Sequence, residues 1–205
     1  KPFHEAGIQT HMLDRGLNGL RMYPVPADVR RLMYKVKHAQ GVDITRIFCG
    51  LNEVRNIIPS IHYALEAGMI PQATLCITFS PVHTVEYYTA IAERLIEAGA
   101  PEICLKDMAG VGRPEMLGRL TKAIKERHPE IIIQYHGHSG PGLSMASILE
   151  VCENGADIID VAMEPISWGK VHPDVISVQA MLKDAGFQVP EINMKAYMKA
   201  RAMTQ

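Results

Sequence analysis

Two histidines separated by a single glycine are the clearest candidates for chemistry in this sequence. His136 and His138 lie in the segment Gln-Tyr-His-Gly-His-Ser-Gly, directly after the apolar run Ile131–Tyr135. Residues i and i+2 of an extended strand point to the same side, so the two imidazoles can converge on one cation. Imidazole is a suitable ligand for zinc, manganese, cobalt or iron. The alternative is a pair of polar strand-end histidines that bond only to neighbouring protein groups.

A lysine at the end of another apolar run is the second candidate. Lys106 closes the sequence Ile-Cys-Leu-Lys and opens Lys-Asp-Met-Ala-Gly. An amine that enters an apolar interior is unfavourable unless it is paired or chemically altered. Three roles fit: an ion pair with Asp107, a low-pKa amine that forms a Schiff base, or an amine that reacts with CO2. The last gives a carbamate, an anionic oxygen ligand that suits a metal held by the histidines.

Short runs rich in β-branched residues predict the strands that position these side chains. The five runs are Val42–Phe48, Ala73–Phe79, Glu102–Leu105, Ile131–Tyr135 and Asp157–Val161. Their lack of strict polar alternation is typical of strands buried on both faces. Helical spacing predicts helices over Val29–Ala39, Glu53–Ala67, Thr84–Ala98, Pro114–Arg127, Gly142–Asn154 and Asp174–Ala185. A strand–helix unit that repeats about every 30 residues indicates an α/β fold with a parallel sheet.

This repeat is typical of a (β/α)8 TIM barrel or of an open doubly wound sheet. The first βα turns lack the glycine-rich nucleotide-binding patterns, and polar residues follow the strand ends, where barrel enzymes carry their active sites. We therefore predict a barrel over residues 1–188, incomplete because the first strand is missing, with Arg15–Tyr23 as the end of a sixth unit. Residues 189–205 are predicted to start a C-terminal helical segment.

Composition excludes several classes of protein. The 205 residues carry 21 Lys and Arg against 22 Asp and Glu. The chain therefore lacks the excess of basic residues that would indicate a nucleic acid partner. No apolar run approaches the roughly 18 residues needed to insert across a membrane. The four cysteines form no C-x-x-C pair, which predicts reduced thiols and a cytoplasmic location.

Four segments together resemble the biotin-dependent carboxyltransferase domains over roughly residues 12–190. The most specific are Leu-Lys-Asp-Met-Ala-Gly at Leu105–Gly110 and the His-Gly-His that begins thirty residues after Lys106. Ser-Pro-Val-His-Thr at Ser80–Thr84 and Ile-Phe-Cys-Gly-Leu-Asn at Ile47–Asn52 extend the resemblance. Such domains occur in pyruvate carboxylase, in the oxaloacetate decarboxylase alpha subunit and in the keto-acid subunit of methylmalonyl-CoA carboxytransferase.

The resemblance implies a (β/α)8 barrel with a divalent metal (Zn, Mn or Co) bound by a carbamylated Lys106, His136 and His138. It makes Arg15, in Asp-Arg-Gly-Leu-Asn-Gly, the second catalytic residue, whose planar guanidinium binds the carboxylate of a small 2-oxo acid substrate. The implied enzyme transfers a carboxyl group between carboxybiotin and this acid, pyruvate or oxaloacetate. Biotin would arrive on a biotinyl carrier domain or partner subunit, and the enzyme is predicted to be a homo-oligomer without membrane insertion.

The sequence departs from the family at several places. Cys49 stands where an aspartate is frequent, and Trp-Gly-Lys-Val-His-Pro at Trp168–Pro173 replaces a common Gly-Thr-Ser-Gln-Pro. The fourth family ligand, an aspartate in an Arg-Asp-Ala-His-Gln-like segment, has no match. Two alternatives therefore stay open. One is a barrel metal lyase or Claisen-type synthase of the 3-hydroxy-3-methylglutaryl-CoA lyase or homocitrate synthase kind, which has the H-x-H but not the lysine motif. The other is a non-catalytic scaffold barrel.

Overall fold

Six parallel strands form one sheet in the computed structural model, which describes residues 2–205. Each strand pairs with its neighbours in the chain, in the order β1 to β6. The strands are β1 His11–Arg15, β2 Ile44–Phe48, β3 Ile70–Cys76, β4 Glu102–Asp107, β5 Ile132–Gly137 and β6 Ile158–Ile159. A TIM barrel closes with eight strands. The described residues therefore form a partial barrel that is open between β1 and β6, as the sequence predicted.

Helices alternate with the strands, and eight are found in the described part of the chain. They are α1 Pro2–Glu5, α2 Ala27–Ala39, α3 Val54–Glu66, α4 Val85–Glu97, α5 Pro114–Arg127, α6 Ser144–Glu153, α7 Val175–Asp184 and α8 Met194–Thr204. Side chains of Thr84, Asp174 and Asn193 accept backbone N–H groups at the starts of α4, α7 and α8. All six predicted helices are present, with boundaries that differ by at most two residues.

Several strand predictions were wrong at their ends. Strand β3 covers Ile70–Cys76 rather than Ala73–Phe79, because the Thr78 N–H already donates to the Tyr88 hydroxyl, at 2.8 Å. Strand β4 runs past Leu105 to Asp107, since its polar end stays in register with β5. Strand β6 is only two residues long. Of Arg15–Tyr23, predicted as the end of a sixth unit, Arg15 ends β1 and residues 16–23 form the loop that follows.

The two faces of the sheet differ in polarity. Alternate strand residues such as Ile47, Leu75 and Leu105 are fully buried against the helices in one apolar core. The opposite face carries polar side chains, among them Arg46 and Gln72, which are joined by a 2.5 Å hydrogen bond from Arg46 Nε. Because side chains alternate along a strand, the apolar positions fix which polar groups face the barrel interior. No helix of residues 2–205 is both long and apolar enough to cross a membrane.

Candidate metal centre

Lys106 and His136 lie side by side at the carboxyl ends of β4 and β5. They are register partners, so their side chains project to the same interior face of the sheet. His138 follows the last residue of β5, and its Nε2 lies 3.1 Å from the Nε2 of His136. The three residues predicted as metal ligands from the sequence are thus gathered at one edge of the sheet.

A third imidazole, that of His172, adjoins this pair. Its ring centroid lies 4.3 Å from that of His136 and 5.0 Å from that of His138. One ring nitrogen from each of the three histidines lies within 4.8 Å of the other two. His172 belongs to the segment between β6 and α7 and was not predicted as a site residue. The available signal was the His-Pro in Trp168–Pro173, where the family commonly has Gln-Pro.

Hydrogen bonds determine which nitrogen two of these rings present to the cluster. The Nδ1 of His172 lies 2.9 Å from the Gly137 carbonyl oxygen, and the Nδ1 of His136 lies 2.6 Å from Asp160 Oδ2. Both partners can only accept, so each Nδ1 carries the hydrogen and each Nε2 has a free lone pair. Arg46 Nη1 also lies 2.8 Å from the His136 Nδ1, but a bare Nδ1 would set its lone pair against the carboxylate oxygen at 2.6 Å, so the Nδ1–H tautomer is favoured. Such acceptors behind an imidazole are typical of metal-binding histidines.

The protonation states also suit metal binding. Burial lowers the pKa of His136 to about 4, even though Asp160 favours its charged form. Burial and the neighbouring His172 likewise lower the pKa of His138. Metal ligation requires neutral imidazoles, so these rings need not lose a proton at neutral pH.

Asp160 accepts a hydrogen bond from the His136 Nδ1, on the side of the ring away from the cluster, and was not predicted as a site residue. It follows β6 and forms an ion pair with Arg46, whose Nη1 lies 2.6 Å from Asp160 Oδ2. Burial acts to raise the pKa of Asp160, but hydrogen bonds from His136 and Arg46 outweigh it and lower the pKa well below its usual range. The residue is therefore a fixed anion that orients one imidazole. No spacing rule marks Asp160, because its role depends on which strand end it meets.

Lys106 is buried, and no carboxylate of residues 2–205 forms a salt bridge with it. Its Nζ lies 4.8 Å from the Phe48 ring centroid. Asp107 instead accepts the backbone N–H groups of Val111 and Gly112, at 2.9 Å each. The predicted alternative of a Lys106–Asp107 ion pair is therefore wrong. Burial lowers the pKa of Lys106, which increases the fraction of neutral, nucleophilic amine.

Arg15 lies at the same edge of the sheet, at the end of β1. Its Cζ lies 5.8 Å from the ring centroid of Phe48, its register partner on β2. The Phe48 ring thus contacts both cations, and it lines two adjacent cavities. One, of about 400 Å³, contains Lys106 and Cys76; the other, of about 150 Å³, contains Arg15. The structure therefore brings Arg15 to the mouth of the barrel but does not bring it into contact with the histidine cluster.

Known proteins resemble this chain over most of its length. The HMGL-like family matches residues 51–203. A pyruvate carboxylase subunit of Methanocaldococcus jannaschii is 38% identical over 198 residues, covering 93% of this chain and 34% of that protein. The methylmalonyl-CoA carboxyltransferase 5S subunit of Propionibacterium freudenreichii subsp. shermanii is 37% identical over 148 residues, or 72% of this chain and 29% of that protein.

A solved structure is also similar to this chain in fold and sequence. The carboxyl transferase domain of Rhizobium etli pyruvate carboxylase, in complex with pyruvate and biocytin, has a TM-score of 0.80 and 32% identity. The match covers 86% of this chain and 31% of that one. The chain spans about a third of the length of the relatives it matches. It belongs to the HMGL-like family, and the resemblance to carboxyltransferase domains predicted from its motifs is confirmed.

Proposed function

We propose that this chain provides the metal-binding barrel of a biotin-dependent carboxyltransferase, which moves a carboxyl group between carboxybiotin and pyruvate or oxaloacetate. The observation that carries the proposal is the convergence of Lys106, within Lys-Asp-Met-Ala-Gly, with His136 and His138 at adjacent strand ends. The names of the relatives support it, since they are pyruvate carboxylases and a methylmalonyl-CoA carboxyltransferase subunit.

The side chains fit a divalent metal such as zinc, manganese or cobalt. His136 and His138 would supply neutral nitrogens, and Lys106 would supply an oxygen after carbamylation. In that step the neutral Nζ attacks the carbon of CO2, and the nitrogen releases one proton, which leaves an anionic carbamate. The lowered pKa of Lys106 supports this chemistry because a protonated amine has no lone pair with which to attack. When bound, the metal would polarise the ketone of the 2-oxo acid and stabilise the negative charge of its enolate.

Arg15 is proposed to bind the carboxylate of the 2-oxo acid. Its guanidinium is a permanent cation that matches a carboxylate with two parallel hydrogen bonds. The Phe48 ring lies beside both Arg15 and Lys106. A 2-oxo acid whose carboxylate binds Arg15 and whose ketone faces the metal held by Lys106 would therefore lie across this ring. The ring would also displace water from the reacting atoms, which protects carboxybiotin and the enolate from hydrolysis and protonation.

The remaining parts of the proposal concern the protein as a whole. Biotin would be carried by a biotinyl carrier domain or by a partner subunit, and the solved relative with biocytin supports biotin as the carboxyl carrier. A homo-oligomer and a cytoplasmic location remain predictions. The lyase or synthase alternative has less support than carboxyl transfer, because the relatives named above are carboxyltransferases.

The test combines metal content with carboxyl transfer in the full-length protein. We expect His138→Ala to reduce bound metal and oxaloacetate decarboxylation together, because it removes one proposed ligand. His62→Ala is the matched control, since His62 is exposed on α3. Full activity with full metal content in His138→Ala would contradict the proposal. Activity that needs an acyl-CoA and no biotin would favour the lyase or synthase.

A further inference from the structure

We infer that His172 is an additional imidazole ligand of the metal, so that three histidines rather than two hold it. The inference rests on the proposed metal site. It concerns a residue of the Trp168–Pro173 segment, which differs from the common family sequence and lies outside the H-x-H and lysine motifs.

Distance is the first argument. Two nitrogens that bind the same zinc ion at about 2.0–2.1 Å can be no more than about 4.2 Å apart. The Nε2 atoms of His136 and His138 meet this limit at 3.1 Å. One ring nitrogen from each histidine lies within 4.8 Å of the other two, and the His172 ring centroid lies only 4.3 Å from that of His136, so a small side-chain rotation brings His172 within reach.

Orientation is the second argument. His172 donates through Nδ1 to the carbonyl of Gly137, the residue between the other two histidines. A backbone hydrogen bond of 2.9 Å from Ser139 N to Val171 O also joins the segment that follows β5 to the segment that contains His172. These bonds hold the His172 ring edge-on to His136 and His138, with interplanar angles of 82° and 89°.

The unused lone pair is the third argument. One hydrogen shared between the Nε2 atoms of His136 and His138 can satisfy that contact in the absence of metal. The Nε2 of His172 has no hydrogen-bond partner within residues 2–205, so no protein group competes for its lone pair. A cation beside the other two imidazoles would use this lone pair. A third nitrogen ligand would also favour zinc or cobalt over manganese, which prefers oxygen ligands.

The experiment uses zinc and cobalt(II) as probes on the full-length protein. His172→Asn removes Nε2 but leaves an amide that can donate to the Gly137 carbonyl, so it separates ligation from support of the segment. We expect zinc affinity to fall about tenfold or more, with a change in the visible spectrum of bound cobalt(II). The control His62→Asn should leave the affinity and the spectrum unchanged, because His62 is exposed on α3.

A second variant keeps the test decisive if His172→Asn does not fold. His172→Cys places a thiolate at the position, and a thiolate-to-cobalt charge-transfer band arises only from a direct sulfur–cobalt bond. That band supports the inference. A folded, cobalt-loaded His172→Cys that lacks the band and has the cobalt(II) affinity and spectrum of the unsubstituted protein overturns it. Unchanged affinity and spectrum in His172→Asn, with metal lost in His138→Ala, would overturn the inference alone. Full metal in His138→Ala as well would overturn the proposed metal site.

Discussion

The most informative single residue behind the site is Asp160, because among the proposed ligands it forms a hydrogen bond only with His136. We expect Asp160→Asn to weaken zinc binding about 10- to 100-fold, since the loss of the anion lowers the basicity of the His136 imidazole. The substitution also leaves Arg46 without its carboxylate partner. Competition titration with a zinc chelator measures the affinity, and Asp184→Asn on the exposed end of α7 is the control. Equal zinc affinity in both variants would show that Asp160 has no positioning role.

Lys106 allows a direct test of carbamylation. Lys106→Arg keeps the positive charge but cannot form the carbamate, because a guanidinium stays protonated in proteins. We expect protein equilibrated with 13C-labelled bicarbonate to show a carbamate resonance by 13C NMR that is lost in Lys106→Arg, together with carboxyl transfer. The control Lys195→Arg, on the exposed start of α8, should retain the resonance. A carbamate signal that survives in Lys106→Arg would assign the modification to another lysine.

At this scale, the sequence identifies residues that carry their own local pattern. His136 and His138 are two residues apart at the end of β5, and Lys106 lies near the end of β4, so strand periodicity and a motif sufficed to find them. His172 and Asp160 come from segments that the chain folds back onto the end of β5, 35 and 24 residues after their hydrogen-bond partners. No strand or helix spacing marks either residue, because their environment is created by tertiary packing; for His172 the only local signal is the His-Pro of Trp168–Pro173.

At the scale of elements, the position of Arg15 depends on how closely β1 approaches α3. A methyl group at Gly16 would collide with the backbone carbonyl of Asn56, and the Gly16 carbonyl accepts from Ser60 Oγ at 2.8 Å. We expect Gly16→Ala to lower the free energy of unfolding by about 1–3 kcal/mol, the usual effect of overpacking. Urea unfolding measures this effect. Gly50→Ala is the matched control, since nothing lies within 4 Å of its added methyl group. Equal stability of the two variants would exclude the close approach.

The strand–helix repeat was predictable because capping residues, prolines and apolar runs are local signals. The errors at β3 and β6 arise where tertiary contacts decide the strand ends. At β3, for example, the Thr78 N–H donates to the Tyr88 hydroxyl rather than to a neighbouring strand. Helix α8 lies within the predicted C-terminal segment 189–205, and the division from residues 1–188 stays a prediction.

At the scale of the whole molecule, the proposed ligands come from β4, β5 and the segment before α7, so a bound ion would join separate parts of the open sheet. A ligand that binds only the folded state stabilises it by about 2.7 kcal/mol at 100 times its dissociation constant. We expect zinc to raise the melting temperature of chelator-treated protein, and a chelator to reverse the rise. The rise should disappear in His138→Ala, shrink in His172→Asn and persist in His62→Asn. An equal rise in His138→Ala would mean that zinc binds elsewhere, and the metal centre would have to be sought away from these strand ends.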